Sequence, residues 1–144
     1  MGIMIGHTDI QRAVSRLLKQ KGYLVLARES IEGGNRPATS VDVFPSKSEW
    51  VGEYMVEDTF SVEVVYYPKT ETQEQLAKAA AELKNILLFS PLEIEDRVLH
   101  TYEISFSKNN NQLVAEVDYE ITQEVDLENE DDEMMQELIT EFED

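Results

Sequence analysis

Carboxylates are the residues of this chain whose spacing best suggests chemistry. Glu116, Asp118 and Glu120 alternate along one predicted strand, and Glu103 lies on the same face of the strand before it. Paired carboxylates act as general acid and base when an apolar surrounding favours the protonated form of one of them. Nothing apolar accompanies these four on that face, so we interpret them as a solvated acidic surface and predict no enzymatic activity.

The histidines offer a second route to chemistry. A catalytic histidine needs a nucleophile or an orienting carboxylate beside it. His100 falls on the same predicted strand face as Tyr102 and Ile104, which favours a core or half-buried side chain, and His7 is expected to be exposed before the first helix. Two isolated histidines and no cysteine do not predict a metal site.

The stretch from Val56 to Leu83 raises the question of phosphate binding, because a strand is followed at once by a helix. A phosphate site at such a turn needs glycines that let backbone N–H groups approach the anion. The turn reads YYPKTETQEQ, without glycine, and its glutamates would repel an anion. We interpret it as a structural connection, in which Pro68 ends the strand.

The acidic segment 126–144, DLENEDDEMMQELITEFED, has carboxylates spaced somewhat like those of a calcium-binding loop. Asp131 stands where such a loop needs glycine, which argues against an EF-hand. Apolar residues of the segment recur at helical spacing, as Met135, Leu138, Ile139 and Phe142. This pattern fits a helix that docks on a partner or a neighbouring subunit, and a solvated acidic terminus is the alternative.

Charge and composition restrict the partners of the chain. Thirty acidic and twelve basic residues give 144 residues a formal net charge of -18, which makes nonspecific binding to nucleic acid or anionic lipid unfavourable. An apolar content of 42% suits one folded domain. Without cysteine, a long apolar run or a signal peptide, the sequence predicts a soluble cytoplasmic protein that needs no cofactor.

The first predicted elements of the chain are a helix and two strands. Residues 8–21 have helical apolar periodicity, with Thr8 or Asp9 as the expected cap. Strands are predicted at 23–27 and at 38–44. The exposed side of the helix is basic and is a candidate contact surface, formed by Arg12, Arg16 and Lys19.

The middle of the chain alternates between connections and regular elements. The second strand is predicted to end at Pro45, and the polar connection SKSEWVGEYM then carries Trp50 and Tyr54, candidate interface anchors. Alternation predicts a strand that ends at Tyr67, and helical periodicity predicts a helix over 72–89.

The last regular elements are two alternating strands, Val98–Phe106 and 113–122, joined by the turn KNNNQ. Together the elements predict an α+β fold, with a mainly antiparallel sheet of four to five strands and two helices packed on one face. We expect residues 1–125 to form this single domain and residues 126–144 to form a separate acidic tail.

The order of the elements resembles a known family. The strand ending VDVFPSK, the strand DTFSVEVVYYPK, the helix TQEQLAKAAAELKNIL and the hairpin HTYEISFSKNNNQLVAEVDYEI follow one another after the first helix. In this order, and in the pattern F-x-V-x-V-x-Y-x-P, residues 8–125 resemble the phage tail terminator (tail completion) proteins of Gram-positive phages and phage-like tail particles. The acidic tail departs from that pattern.

The resemblance implies a structural protein without an active site or a cofactor. Such subunits assemble as a hexameric ring on the head-proximal end of the tail tube, stop tube polymerisation and contact the head connector. The implied partners are further copies of the chain, the tube protein, and sheath or connector proteins, at the neck of a virion or tail particle. DNA would pass through the ring without binding.

Three other functions are compatible with parts of the sequence. An acidic inhibitor or DNA mimic would share the negative charge and would bind a basic protein in a salt-dependent way. A head-closure protein or another neck component would differ in partner alone. A small hydrolase with paired carboxylates would lose a pH-dependent activity when Glu116 or Asp118 is replaced.

Overall fold

The computed structural model describes residues 4–32 and 34–125. In chain order their elements are α1 (His7–Gln20), α2 (Arg28–Glu32), β1 (Ala38–Gly52), β2 (Met55–Tyr67), α3 (Gln73–Leu87), β3 (Leu92–Ile94), β4 (Arg97–Leu99), β5 (Ile104–Asn109) and β6 (Gln112–Glu124). Four strands form one antiparallel sheet in the order β1-β2-β6-β5, and β3 pairs with β4 in a small second sheet. The predicted α+β class and mainly antiparallel sheet are confirmed.

Helix α1 confirms the amphipathic helix predicted over 8–21. Its N-cap is Gly6, so neither Thr8 nor Asp9 holds that position. The Asp9 carboxylate instead accepts a hydrogen bond from the Gly6 N–H at 2.9 Å, which satisfies a donor at the helix start. After the helix Gly22 has φ +93, a conformation that favours glycine and ends the helix. The buried residues of α1 are Ile10, Ala13, Val14 and Leu18.

One face of the main sheet carries the core. Helices α1 and α3 both pack on this face, as predicted for the two long helices. The register places Phe60, Val62 and Val64 of β2 opposite Tyr119, Val117 and Ala115 of β6. The alternation predicted for both strands is therefore confirmed, because every one of these six residues is buried.

Helix α3 begins where the sequence predicts it. Thr72 is the N-cap, and its hydroxyl accepts a hydrogen bond from the Gln75 N–H at 3.2 Å. The helix ends at Leu87, slightly before the predicted end at residue 89. The residues that α3 buries are Leu76, Ala79, Leu83, Ile86 and Leu87.

The opposite face of the sheet carries a smaller cluster beneath α2. Ile31 of α2 is fully buried there. Residues 28–32, between the two strands predicted at 23–27 and 38–44, form α2, because Ile31 packs on the sheet and orders one helical turn around itself. The residues that Ile31 packs with are Ala38, Val65, Tyr67 and Val114.

The strand predicted at 23–27 is wrong. Only Val25 of this stretch forms a β-bridge, with Thr39, and the neighbouring Leu26 N–H donates to the Thr39 carbonyl at 2.9 Å. Leu24 is half exposed, and the apolar run pairs with β1 at one position rather than extending the sheet as a strand. Apolar content without alternation could not distinguish these cases.

The strand end predicted at Pro45 is also wrong. Strand β1 continues to Gly52, with a bulge between Pro45 and Lys47, and β2 begins at Met55. Proline is tolerated in an edge strand or a bulge, where the N–H that it lacks is not needed for the ladder. The predicted connection SKSEWVGEYM is therefore mostly strand, and its turn contains Tyr54 at φ 63.

The strand predicted from Val98 to Phe106 is interrupted at residues 100–103. Leu99 is buried in the small sheet opposite Leu92, whereas Ile104 begins β5 on the main sheet. The prediction that His100 is in the core or half buried is wrong, because this residue lies exposed in the interruption. The chain changes sheets at this point, and strict alternation does not reveal such a change.

The turn predicted at KNNNQ is confirmed. Asn109 and Gln112 pair at the end of the β5–β6 hairpin, and the two residues between them, Asn110 and Asn111, have φ values of 50 and 67. A two-residue turn with positive φ at both positions favours asparagine and matches the twist of the strands.

Candidate assembly surfaces

The end of the β1–β2 hairpin exposes a group of apolar side chains. Trp50 is 57% exposed, and the other three are between 42% and 49% exposed. Exposed large apolar side chains grouped at one end of a sheet are candidates for protein contact. The register places Trp50 opposite Val56 and Met55 opposite Gly52, so these two side chains project from opposite faces of the hairpin. We call this surface the hairpin-end patch; its members are Trp50, Val51, Tyr54 and Met55.

Hydrogen bonds from other parts of the chain hold the hairpin end in place. The Val125 N–H donates to the Tyr54 carbonyl at 2.7 Å. The buried Gln123 amide accepts from the Ile5 N–H at 2.6 Å, donates to the Ile5 carbonyl at 3.0 Å and donates to Asp58 at 2.8 Å. The aromatic side chains therefore stand on a braced three-stranded end of the sheet, rather than on the loop that the sequence predicts.

The sheet face opposite the core carries the predicted acidic residues. They line one groove of about 450 Å³ between β6 and the segment 98–105. Ser61 donates a hydrogen bond to the Asp118 carboxylate at 2.9 Å from the neighbouring strand β2. We call this surface the acidic groove; its carboxylates are Glu57, Glu103, Glu116, Asp118 and Glu120.

The groove brings together all four acidic residues that the sequence placed on one face, and it adds Glu57. That residue lies on β2 opposite Thr122, which also lines the groove. The pairing of β2 with β6 could not be read from sequence spacing, so Glu57 was missed. His100 and Tyr102 lie at the same groove, and Tyr102 is 90% exposed.

The chemistry available to the groove is electrostatic. Its four predicted carboxylates are solvent exposed. Among residues 4–32 and 34–125, no group of three histidine or acidic side chains is arranged to hold a metal ion. Adjacent exposed carboxylates create a negative potential that repels phosphate groups, which is the property the arrangement most clearly provides.

A stripe of basic residues lies on α1, on the other side of the sheet. Arg12, Arg16 and Lys19 are exposed and follow one another at helical spacing, opposite the buried Val14 and Leu18. Within the described part of the chain, none of the three forms an ion pair. We call them the basic stripe. The subunit therefore presents charges of opposite sign on opposite sides.

The outer strands of the sheet leave backbone groups available. The Val41 carbonyl accepts a hydrogen bond from the Gln11 side chain at 3.0 Å. Between Asp42 and Gly52, no backbone bond from the outer edge of β1 to another described segment is found. Free strand edges pair readily with other chains, and Pro45 with its bulge limits that tendency here.

Comparison with known proteins decides among the structural roles. A family model described as phage tail terminator protein matches residues 9–133, which is more than half of the chain. The chain belongs to the phage tail terminator family. The match confirms the resemblance carried by residues 8–125 and continues past Val125 into the acidic tail. No curated protein sequence matches the chain significantly.

Membership in the terminator family gives the chain a structural role in a phage tail. The family is structural rather than catalytic, and its members are components of the virion tail that interact with other tail proteins. None of the described helices is long and apolar enough to cross a bilayer. For a tail terminator, the relevant sites are therefore the surfaces through which it meets other proteins.

The predicted terminator surfaces fall into three groups by position. Trp50 and Tyr54 lie together in the hairpin-end patch, and sequence reasoning missed its other two members, Val51 and Met55. The basic residues of α1 lie on the other side of the sheet from the acidic residues of the groove. Glu57 of the groove follows Met55 of the patch by two residues on the same face of β2. The candidates of the acidic tail lie outside the described residues: Met135, Leu138, Ile139 and Phe142.

Proposed function

We propose that this protein assembles as a closed ring, a hexamer as the resemblance implies, on the head-proximal end of the tail tube. There it stops tube polymerisation and forms the interface to the head connector or collar. The observation that carries this proposal is an acidic sheet face on the side opposite the basic helix α1, with exposed apolar side chains at the β1–β2 end of the sheet. The first suits the wall of a DNA channel, and the other two suit contacts between proteins.

The acidic groove is assigned to the channel because DNA must pass without binding. Each phosphate carries a negative charge, and binding to a protein usually depends on lysine and arginine that release condensed counterions. The surface of the sheet instead carries negative charge, like the phosphates themselves. The carboxylates that supply it are Glu103, Glu116, Asp118 and Glu120. A wall of this kind keeps translocating DNA away from specific contacts.

The ring contact is assigned to two different surfaces of the subunit. A ring of identical subunits needs a heterologous contact, in which one patch meets a different patch on the next copy. The basic stripe of α1 would meet acidic surface of the neighbouring subunit, because opposite charges steer association and fix its register. The strongly acidic composition leaves many such surfaces available.

The hairpin-end patch is assigned to the next component of the tail. An exposed tryptophan beside a tyrosine is typical of the residues that dominate binding energy at protein interfaces. The partners are the tube protein on one side of the ring and sheath or head-connector proteins on the other. The ring would then belong to the neck of a virion or tail particle, and it would be assembled in the cytoplasm of the host bacterium.

Size measurement with and without the tube protein tests this function. Light scattering and electron microscopy of the purified protein should show closed rings with a central channel, either alone or on the ends of tube assemblies. Tubes assembled with an excess of the protein should be shorter, because their growth is stopped. A protein that stays monomeric in both conditions, and binds basic proteins with an affinity that falls with salt, would instead be an acidic inhibitor.

A further inference from the structure

Strand β6 continues beyond the end of its neighbour β5. The two strands pair only as far as Val117 of β6, whereas β6 itself runs on to Glu124. On its other side, β6 pairs with β2 all the way to Glu124. Residues 118–124 therefore have a sheet neighbour on one side and, among the described strands, none on the other.

The alternation of the antiparallel ladder shows which backbone groups of β6 face this unpaired side. Successive residues of a strand direct their N–H and C=O groups to opposite neighbours. Asn109 and Gln112 flank a two-residue turn and exchange hydrogen bonds, so the even-numbered residues of β6 face β5. The Thr122 carbonyl agrees with this assignment, because it accepts from the Arg97 side chain rather than from β2. Beyond β5, the outward groups belong to Asp118, Glu120 and Thr122.

These outward groups form an open strand edge. Apart from the ladder with β2, no backbone hydrogen bond joins residues 118–124 on this side to another described segment. Glu103 would be the next residue of β5 opposite Asp118, but the chain has left the sheet there, and the Glu103 carbonyl accepts from the Thr101 hydroxyl at 3.3 Å. Unpaired groups at a strand edge are a template for pairing with another chain.

The acidic groove provides the space beside this edge. Its volume of about 450 Å³ is lined by Asp118, Glu120 and Thr122 on one side and by the segment 98–103 on the other. An extended chain rises about 3.3 Å per residue, so a segment of about five residues spans the backbone of these three. We call the space between the three residues and that segment the β6 notch.

The side chains beside the notch favour a cationic occupant. Glu116, Asp118 and Glu120 project from one face of β6, and Glu57 and Glu103 line the same groove. Side chains that face each other across an antiparallel pair lie about 4.5–5.5 Å apart, and opposite charges there stabilise the pair. A strand with lysine or arginine at every second position would place them opposite Asp118 and Glu120.

This chain contains no segment of that kind. Lys19 and Lys21 are its only basic residues that lie two positions apart. They lie in the last turn of α1 and at its C-cap, so they do not form an extended strand. Neither the chain itself nor a second copy therefore matches the notch, and the matching segment belongs to a different protein.

We propose that the β6 notch binds an extended basic segment of a partner protein, which adds to the main sheet beside β6 and in line with β5. The segment exchanges backbone hydrogen bonds with Asp118 and Glu120, and its basic side chains face the acidic side of the sheet. In strand addition of this kind, main-chain bonds give affinity and alternate side chains give specificity. The notch is complete within one subunit, so the proposal does not depend on the ring.

Hydrogen exchange measured by nuclear magnetic resonance tests the pairing directly, with the capped peptide TKVKVKT as the probe. In the free protein, the amides of Asp118, Glu120 and Thr122 should exchange faster than those of Tyr119 and Ile121, which face β2. Saturating peptide should slow exchange of the first three roughly tenfold or more and leave the other two unchanged.

Modified peptides separate backbone pairing from charge. Methylation of the lysine backbone nitrogens removes the donors that face β6, and it should weaken binding roughly tenfold or more. Methylation of the valine backbone nitrogens, which face away from β6, is the matched control and should leave the affinity unchanged. The acidic peptide TEVEVET should not bind, because like charges would face each other across the pair.

A charge variant of the full-length protein tests the choice of partner. We expect Asp118→Asn/Glu120→Gln to weaken binding of TKVKVKT about fivefold, with a smaller loss at high salt. Glu74→Gln/Glu93→Gln removes the same charge at exposed residues that do not line the groove, and it should bind the peptide normally.

Three results would overturn the proposal. Equal binding of the two methylated peptides would show that charge alone holds the peptide. Slow exchange at Asp118, Glu120 and Thr122 in the dilute free protein would show that the notch is already closed. Protection that appears without peptide and grows with protein concentration would make a second copy the occupant.

Discussion

At the scale of single residues, Tyr119 places a hydroxyl without a hydrogen-bond partner in the core. Its side chain is completely buried opposite Phe60, and its hydroxyl has no hydrogen-bond partner among the described residues. Burial raises the pKa of Tyr119 to about 12. A buried donor without a partner loses its bonds to water on folding and gains nothing in return, so this hydroxyl opposes stability.

Replacing Tyr119 by phenylalanine should therefore stabilise the protein. We expect Tyr119→Phe to raise the free energy of unfolding by about 1 kcal/mol, because the ring keeps its packing and the unpaired hydroxyl is removed. Urea denaturation followed by circular dichroism measures this change. Tyr54→Phe, at an exposed tyrosine, is the control and should leave stability unchanged. A less stable Tyr119→Phe protein would mean that the hydroxyl has a partner.

The same tyrosine predicts a loss of stability in alkali. An unfolded tyrosine has a pKa of about 10, so the unfolded chain releases the Tyr119 proton before the folded one does. The contribution of this pKa difference to the free energy of unfolding is fully present below a pH of about 10. It is lost as the pH rises towards the folded pKa of about 12. Denaturation at a series of alkaline pH values should show a smaller decline for Tyr119→Phe than for the unmodified protein.

Some alkaline decline should persist in Tyr119→Phe. Burial and the carboxylate of Glu82 raise the pKa values of Tyr23 and Tyr66 as well. These two rings contact each other edge to face, with centroids 6.1 Å apart. An identical decline in the variant and the unmodified protein would show that Tyr119 is not a source of the effect.

Trp50 carries the residue-scale prediction for assembly. We expect Trp50→Ala to weaken association with the tail partner by roughly 2 kcal/mol, because exposed tryptophans in interfaces are frequent hot spots. Phe89→Ala is the matched control, since Phe89 is 65% exposed and lies outside the hairpin-end patch. Sedimentation of mixtures with tube protein measures the loss. Equal weakening by both substitutions would remove the special role of the patch.

At the scale of elements, the N-cap of α3 is a local contact that the structure places at Thr72. Thr72→Ala removes the hydroxyl that accepts from the Gln75 N–H, and a lost cap costs about 1 kcal/mol. We expect thermal unfolding to detect this loss. Thr70→Ala, two residues earlier in the exposed turn, is the control. Similar stability of the two variants would contradict the capping role.

The elements that could be predicted from sequence are those whose apolar residues recur at one regular spacing. Helices α1 and α3 and strand β6 each bury one regular side, and Asn110 with Asn111 marks the hairpin turn by its backbone preference. These signals come from residues that are close together in the sequence, so a single sequence is enough to detect them. The acidic residues of β6 could be placed on one face for the same reason.

The elements that could not be predicted depend on partners distant in sequence. Pro45 is compatible with β1 only because β1 is an edge strand with a bulge. The strand break at residues 100–103 arises because Leu99 pairs with Leu92 in the small second sheet and not in the main sheet. The hairpin-end patch was only partly predicted, because its position depends on β6 pairing as far as Glu124. Spacing along one segment carries none of this information.

At the scale of the whole molecule, the distribution of charge is the main property. A formal net charge of -18 coexists with a compact basic stripe on α1. The four ion pairs found within the described residues all involve other cations: Arg28, Arg36 and Lys47. The basic stripe is therefore available for an acidic neighbour, and its contribution to assembly should depend on salt.

Charge reversal in the stripe tests that contribution. We expect Arg12→Glu/Arg16→Glu to weaken each contact between subunits by about 1 kcal/mol or more, with a smaller effect at high salt. Lys78→Glu/Lys84→Glu on α3 is the control with the same change in charge. Native mass spectrometry of the ring population measures both. If the two double variants lose rings equally, net charge rather than the stripe governs assembly.

The pairing of β2 with β6 also has a consequence for how the chain is made. Strand β2 is complete at Tyr67, but its second neighbour is not synthesised until residues 112–124. Ribosomes add roughly 5–20 residues per second. For seconds after their synthesis, Phe60, Val62 and Val64 therefore lack their partners on β6. Pairing between such distant segments also slows folding itself. The four-stranded sheet can therefore be completed only after β6 has emerged from the ribosome.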